Sequence, residues 1–293
     1  MHNASSIADC RGTPRVFEDP RLLRHAVVEA QRQGAKVGLV PTMGALHEGH
    51  LSLVDACRSA CDVTVASIFV NPTQFGPRED LASYPRSLPR DLQLLAERGC
   101  QLAFVPEAES MYGPRHDTYV DVGAAARGWE GAIRPTHFRG VATVVLKLFH
   151  IIPADCAFFG QKDYQQTVVV KQMAADLDVP IEIRVLPTVR ESDGLAMSSR
   201  NAYLTPDQRA VAPRLWESLQ LAQSLFDAGV RDADRIQRAM QASLAAEPQL
   251  ELQYVACFAE GTLCEVERLD APTIVALAAR LGATRLIDNH RLA

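Results

Sequence analysis

No apolar run long enough to cross a membrane opens this sequence. Residues 1–20 carry Asp9, Arg11, Arg15 and Glu18 and lack the hydrophobic stretch of a signal peptide, so neither secretion nor anchoring is expected and the predicted location is cytoplasmic. An excess of positive charge is missing too. A formal net charge of -5 provides no field that would hold a polyanion, which argues against nucleic acid and membrane as partners and leaves basic sites to be argued one by one. The cysteines Cys10, Cys57, Cys61, Cys100, Cys156, Cys257 and Cys264 include no C-x-x-C pair, and an odd number without a secretion signal predicts reduced, mostly buried thiols. Cys57 and Cys61 lie four apart on a predicted helix, but with no second matched pair core packing is expected of them rather than a metal. Repeats and low-complexity tracts are also absent, apart from an alanine enrichment that suits helices.

What is present is the composition of a globular chain, 47% hydrophobic and 22% charged over 293 residues. At roughly 150 residues per domain that length predicts two domains. Residues 21–33 read as a helix with Leu22, Leu23, Ala26, Val27 and Ala30 on one face and Gly34 as its stop. The run 37–40 is a predicted buried strand ending at Pro41, followed by a glycine-containing loop and a helix from about His47. Strands at 63–70, 102–105, 157–159 and 181–186 then alternate with helices at 90–98, 141–152 and 163–177. That alternation predicts an α/β fold with a parallel sheet of Rossmann type. After Pro187 the rhythm changes to helices at 206–228 and 233–244 and strands at 252–257, 273–278 and 285–288. The boundary is therefore set near Thr188, giving domains at 1–188 and 189–293.

The most informative segment is Pro41-Thr42-Met43-Gly44-Ala45-Leu46-His47-Glu48-Gly49-His50, which leaves a buried strand and opens a helix. In a doubly wound sheet this turn lies at the carboxyl edge of the strands, where free N–H groups and a partial charge of about +0.5 favour phosphate. His47 and His50, three apart, are separated by about 60° and roughly 4.5 Å on a helix, so both rings can face one triphosphate. Gly44 and Gly49 keep side-chain bulk away from it. A zinc-protease helix needs H-E-x-x-H, with histidines four apart, and is excluded by this spacing.

Gly160-Gln161-Lys162-Asp163 repeats the strand-to-helix geometry after 157–159, putting Lys162 within reach of a phosphate. Asp163 is expected at the N-cap, where capping the helix and approaching an ATP-bound Mg²⁺ are both open to it. The stretch 193–200 offers Ser198, Ser199 and Arg200 beyond Gly194, groups suited to phosphate oxygens. Gln74, just past another strand, donates and accepts at once, as a hydroxy acid requires. Gln166 lies four residues after Lys162 and shares its helix face. His137 and Arg139 begin an amphipathic helix and are read as dimer or substrate contacts; Tyr84-Pro85-Arg86-Ser87 is read as a loop over the site.

Taken together, PTMGALHEGH, FVNPTQF, FRGVATVVLKLF, FFGQKDYQQ and DGLAMSSRN resemble the pantothenate synthetase family of the nucleotidyltransferase superfamily, in the family's order, across residues 37–201. A weaker echo runs over 284–289. The resemblance implies a Rossmann-type domain with a smaller α+β C-terminal lid, a homodimer, and ATP and Mg²⁺ as reactant and cofactor. It implies ATP contacts at Met43, Gly44, Ala45, Leu46, His47, Glu48, Gly49 and His50, at Gly160, Gln161, Lys162 and Asp163, at Val189, and at Met197, Ser198, Ser199 and Arg200. His50, as proton donor, His47 and Lys162 are its catalytic groups; Gln74 serves pantoate and β-alanine, and Gln166 pantoate. The metal ligands stay unassigned. Gln161 stands where the family usually has Glu, Tyr164 where it has Phe and His150 where it has Asn, while the N-terminal extension and 255–261 depart from the pattern. Two other activities fit parts of the sequence. A nucleotidyltransferase with a phosphate-bearing acceptor is opposed by the neutral Gln74 and Gln166; an ATP sensor is opposed by the intact set of polar groups.

Overall fold

The computed structural model describes residues 12–77 and 79–293, so Cys10 and most of the stretch read for a leader and extension lie outside the described residues. The chain divides into two compact units, residues 1–160 with 169–186, and residues 161–168 with 187–293.

The first unit is built on β1 (Arg15–Phe17), β2 (Val37–Thr42), β3 (Val63–Ile68), β4 (Leu102–Phe104), β5 (Cys156–Gly160) and β6 (Glu182–Leu186). These six strands pair in parallel in the order β1-β4-β3-β2-β5-β6. The helices between them are α1 (Pro20–Arg32), α2 (Glu48–Ala60), α3 (Leu88–Glu97), the short α4 (Ala108–Met111) and α5 (Glu130–Ile133), α6 (His137–Ile151) and α7 (Tyr164–Asp176), of which residues 164–168 count with the second unit and the rest with the first. Parallel strands need crossovers, and helices on both faces explain why all six residues of β3 are buried. One face packs Leu23 and Val27 of α1 and Val141, Val145 and Leu148 of α6 on Leu39 and Val65. The other packs Leu53 and Val54 of α2 and Leu95 of α3 on Val40, Ala66 and Phe158. From β2 the order runs outward through β3 and β4 on one side and through β5 and β6 on the other. The carboxyl ends of β2 and β5 therefore flank the reversal of strand order, where such sheets bind ligands.

Several boundaries differ from the sequence reading. Strand β2 continues through Pro41 to Thr42, because the β2–β5 ladder ends at Leu39 and no neighbour on that side asks for the N–H that Pro41 lacks. Strand β1, three residues long, is too short to carry a periodic signal. Helix α6 begins at His137, ahead of Gly140, a residue needed bare inside the helix: a Cβ there would lie 2.4 Å from the Thr73 carbonyl oxygen. The helix expected from 163 begins at Tyr164, directly after a 3-10 turn, Gln161–Asp163, that continues from the end of β5.

The second unit carries α8 (Pro206–Val211), α9 (Arg214–Asp227), α10 (Ala233–Ala245) and an antiparallel sheet of β7 (Leu250–Ala259), β8 (Thr273–Leu281) and β9 (Thr284–Leu292) in that order. The single helix expected over 206–228 is broken in two, since Pro213 has no N–H to continue α8 and instead starts α9. Leu215, Leu219 and Ala222 of α9 and Ile236, Met240 and Leu244 of α10 cover Val255, Val275, Leu277 and Leu286. The six described cysteines are free, four of them buried, and burial pushes the Cys57 thiol up to about 11 and that of Cys100 to about 12. Among the described residues no helix is long and apolar enough to cross a membrane.

Candidate active site

The turn after β2 is held open by a carboxylate that the sequence reading missed. Gly44 and Ala45 both adopt left-handed backbone, at φ 80 and φ 51, and the latter is strained for a residue with a Cβ. Asp91, in the first turn of α3 and 2% exposed, accepts from the Ala45 N–H (3.0 Å) and the Leu46 N–H (2.8 Å). Burial raises its carboxyl above the ordinary range, while those two bonds pull the other way. The Thr42 hydroxyl donates to the Ser67 carbonyl (2.7 Å) and accepts from the Gly44 N–H (3.1 Å), tying the start of the turn to β3.

His47 is the N-cap of α2, and its Nδ1 accepts from the Gly49 N–H at 3.1 Å. In a neutral imidazole that bond leaves the proton on Nε2. His50 lies in the first turn, its ring centroid 4.1 Å from that of His47, so the two imidazoles do share one place. Glu48 begins the helix and turns its carboxylate to Arg98 at 2.8 Å.

Gln74 ends a 3-10 turn, Pro72–Gln74, and is 8% exposed. Its Oε1 accepts from Asn71 Nδ2 (3.1 Å) and its Nε2 reaches Met43 Sδ (3.0 Å), joining this turn to the one after β2. Asn71 in turn accepts from the Tyr112 hydroxyl (2.7 Å) and donates to the Gly140 carbonyl (3.2 Å). The Gln74 carbonyl accepts from His137 Nδ1 (2.9 Å), whose Nε2 faces Arg134 Nη1 (3.1 Å). Arg134 grips Glu79 through two bonds of 2.7 Å. Burial, with the Arg134 charge beside it, lowers the His137 pKa to about 4, so the ring is a neutral donor to Gln74. His137 thus faces inward as a support, whereas Arg139 lies outside over the Tyr119 ring at 4.2 Å. Tyr84 is buried edge-on to Phe75.

In the second unit, Asn289 of β9 holds the 3-10 turn Gln161–Asp163. Its Nδ2 donates to the carbonyls of Gln161 and Lys162, each at 2.9 Å, and its Oδ1 accepts from Gln161 Nε2 at 3.1 Å. Lys162 Nζ stands 4.0 Å from Asp163 Oδ2. Tyr164, the next residue, accepts from the Gly261 N–H at 2.7 Å, and Gln166 lies on the following turn of α7, partly buried. The adjacent Asp288, 3% exposed, takes a forked pair from Arg190 (2.6 and 3.0 Å), whose guanidinium lies 3.7 Å over Trp216. Burial pushes the Asp288 carboxyl up against the pull of that arginine. The Met197 N–H donates to the Val189 carbonyl (3.0 Å), closing a hairpin after which Ser198 caps the 3-10 turn Ser199–Tyr203 through the Arg200 N–H (3.3 Å). Gly194 at the hairpin tip has φ 90, and a Cβ there would meet Trp216 at 2.0 Å. Among the described residues no group of three or more His, Cys, Asp or Glu side chains is arranged to hold a metal.

A reversing parallel sheet with a histidine-capped helix at the end of its central strand defines the Rossmann-type nucleotide-binding class. The sequence profile of pantoate-beta-alanine ligase matches residues 15–291, and the chain belongs to that family. It is 52% identical over 261 residues to the pantothenate synthetase of Herpetosiphon aurantiacus, covering 89% of this chain and 95% of that protein. The pantothenate synthetase of Moorella thermoacetica is 52% identical over 267 residues, 91% of this chain and 94% of its own. The crystal structure of pantothenate synthetase from Thermus thermophilus superposes with a TM-score of 0.90 at 44% identity, covering 94% of this chain and 98% of that one. Pantoate-beta-alanine ligase from Francisella tularensis, complexed with beta-gamma ATP and beta-alanine, gives 0.78 at 32% identity over 94% and 97% of the two chains.

Proposed function

We propose that this chain is an ATP-dependent ligase that joins (R)-pantoate to β-alanine through a pantoyl-adenylate. A pantoate carboxylate oxygen attacks the α-phosphorus, the bond to pyrophosphate breaks, and pyrophosphate leaves. The free amine of β-alanine then attacks the acyl carbon, AMP departs with the electron pair of the broken C–O bond, and the nitrogen loses a proton to give the amide.

The observation that carries the reading is the cap of α2. His47 commits Nδ1 to the Gly49 N–H, which turns the Nε2 side of a neutral ring toward the role of donor to a phosphate oxygen, with the tilted His50 ring 4.1 Å away as proton donor. In this reading Met43, Gly44, Ala45, Leu46, Glu48 and Gly49 shape the phosphate turn, supported by Asp91. Lys162 neutralises charge on the leaving pyrophosphate, and Gly160, Gln161, Asp163, Val189, Met197, Ser198, Ser199 and Arg200 complete the ATP contacts. Gln74 and Gln166 bind pantoate, with Gln74 also serving β-alanine. Asp163, 4.0 Å from the Lys162 ammonium, is the carboxylate that would approach a Mg²⁺ carried on ATP, a cation that usually keeps several waters. When bound, the ion supplies charge neutralisation at the phosphates. The same reading makes the protein a homodimer, as the sequence resemblance implies, and places it in the cytoplasm, as the polar residues 1–20 suggest.

Pyrophosphate–ATP isotope exchange, run with Mg²⁺ and without β-alanine, tests it. Exchange that depends on added pantoate is expected. ATP binding with no pantoate-dependent exchange would reject the ligase in favour of an ATP sensor.

A further inference from the structure

We infer that Asn289 is a positioning residue for Lys162, acting from β9 through the peptide bonds of the 3-10 turn. Every polar atom of its side chain is committed to that turn. Both hydrogens of Nδ2 go to consecutive carbonyls, Gln161 and Lys162, and Oδ1 receives the Gln161 amide. Fixing two successive carbonyl directions fixes the peptide planes on both sides of Lys162, and with them the direction in which its Cα–Cβ bond leaves the backbone. A lysine stem is long and flexible, so the place from which it starts is what a protein can most readily impose on its ammonium.

Asn289 is itself held. It is 3% exposed and sits in the β8–β9 ladder opposite Ala276. Its N–H donates to Asp288 Oδ1 (2.8 Å), and its carbonyl accepts from Arg190 Nη2 (3.3 Å). The same Arg190 clamps Asp288 and donates to the Gly194 carbonyl (3.0 Å). One strand dipeptide, Asp288-Asn289, therefore fixes both the lysine turn and the 189–197 hairpin. A catalytic group held to a fraction of an ångström needs a support of this kind.

This inference rests on the reading of Lys162 as the group that neutralises the leaving pyrophosphate, and a double-mutant cycle separates the two. Single-turnover pantoyl-adenylate formation is measured for Lys162→Ala, Asn289→Ala and the double variant, with rates referred to folded protein by thermal melting. Asn289→Ala is expected to lose about 10- to 100-fold in the parent and almost nothing further in the Lys162→Ala background. Asn289→Asp keeps the volume and the acceptor for Gln161 but removes both donors, so it is expected to show the same coupled loss and serves if the alanine variant does not fold. Equal losses in the two backgrounds would mean that Asn289 acts independently of Lys162; the inference would fall while the role of Lys162 stood. No loss from either Asn289 variant would also overturn it. A Lys162→Ala enzyme with the parental rate would remove the reading beneath it.

Discussion

At the scale of single residues, the site is set by buried polar groups that touch backbone. Asp91 holds two successive N–H groups in a turn whose Ala45 is left-handed, so its carboxylate offsets local strain of about 1 kcal/mol. Asp91→Asn keeps the shape but sets an NH₂ against one of those donors. The expected result is a rise of about tenfold or more in the ATP KM for pyrophosphate exchange, the loss typical of a hydrogen bond to a charged group. An unchanged KM would show that the turn holds itself. His137 gives a test by pH. Its folded pKa lies near 4 and its ordinary value near 6.5, chiefly through burial and then the Arg134 charge, with Glu79 and Glu130 pulling upward. Between those values the unfolded chain binds the extra proton. Stability from this group is therefore complete above about 6.5 and lost as pH falls toward 4, by at most about 3 kcal/mol. Urea unfolding of His137→Asn at pH 7.5 and 5 is expected to show a weaker pH slope than the parent, and an identical slope would reject the assignment.

At the scale of elements, what was legible in the sequence was local. The turn at 41–50 could be read because strand end, glycine, histidine and helix start adjoin in the chain, and the sheet could be read because strand and helix periods alternate. Asp91 could not, because it acts on a residue 46 positions away and an acidic residue in the first turn of a helix is ordinary. Asn289 acts across 127 positions from within an otherwise ordinary strand. The echo at 284–289 marked the place and gave no reason for it. His137 was read as a dimer or substrate contact from its place at the start of an amphipathic helix; its bond to the Gln74 carbonyl, 63 positions away, had no signal in the chain. Prolines misled in both directions. Pro41 stays inside β2 because one side of that strand has no further partner, whereas Pro213 cuts a helix whose hydrophobic period runs on past it.

At the scale of the whole molecule, the chain has two sets of cores, one around each face of the parallel sheet and one between α9, α10 and the antiparallel sheet. Units with their own cores need not unfold together, so calorimetry is expected to give a van't Hoff enthalpy below the calorimetric one. Leu219, 0% exposed on α9, lies wholly within the second core. Leu219→Ala, worth roughly 3 kcal/mol as a buried truncation, is expected to lower one transition and leave the other in place. Because Lys162 and Asn289 belong to the second unit, pyrophosphate exchange should be lost with that lower transition, at temperatures where the parallel sheet is still folded. A single transition that shifts as a whole, with equal enthalpies, would mean that the two units melt as one. Exchange that outlived the lower transition would place the chemistry in the first unit alone and remove Lys162 from it.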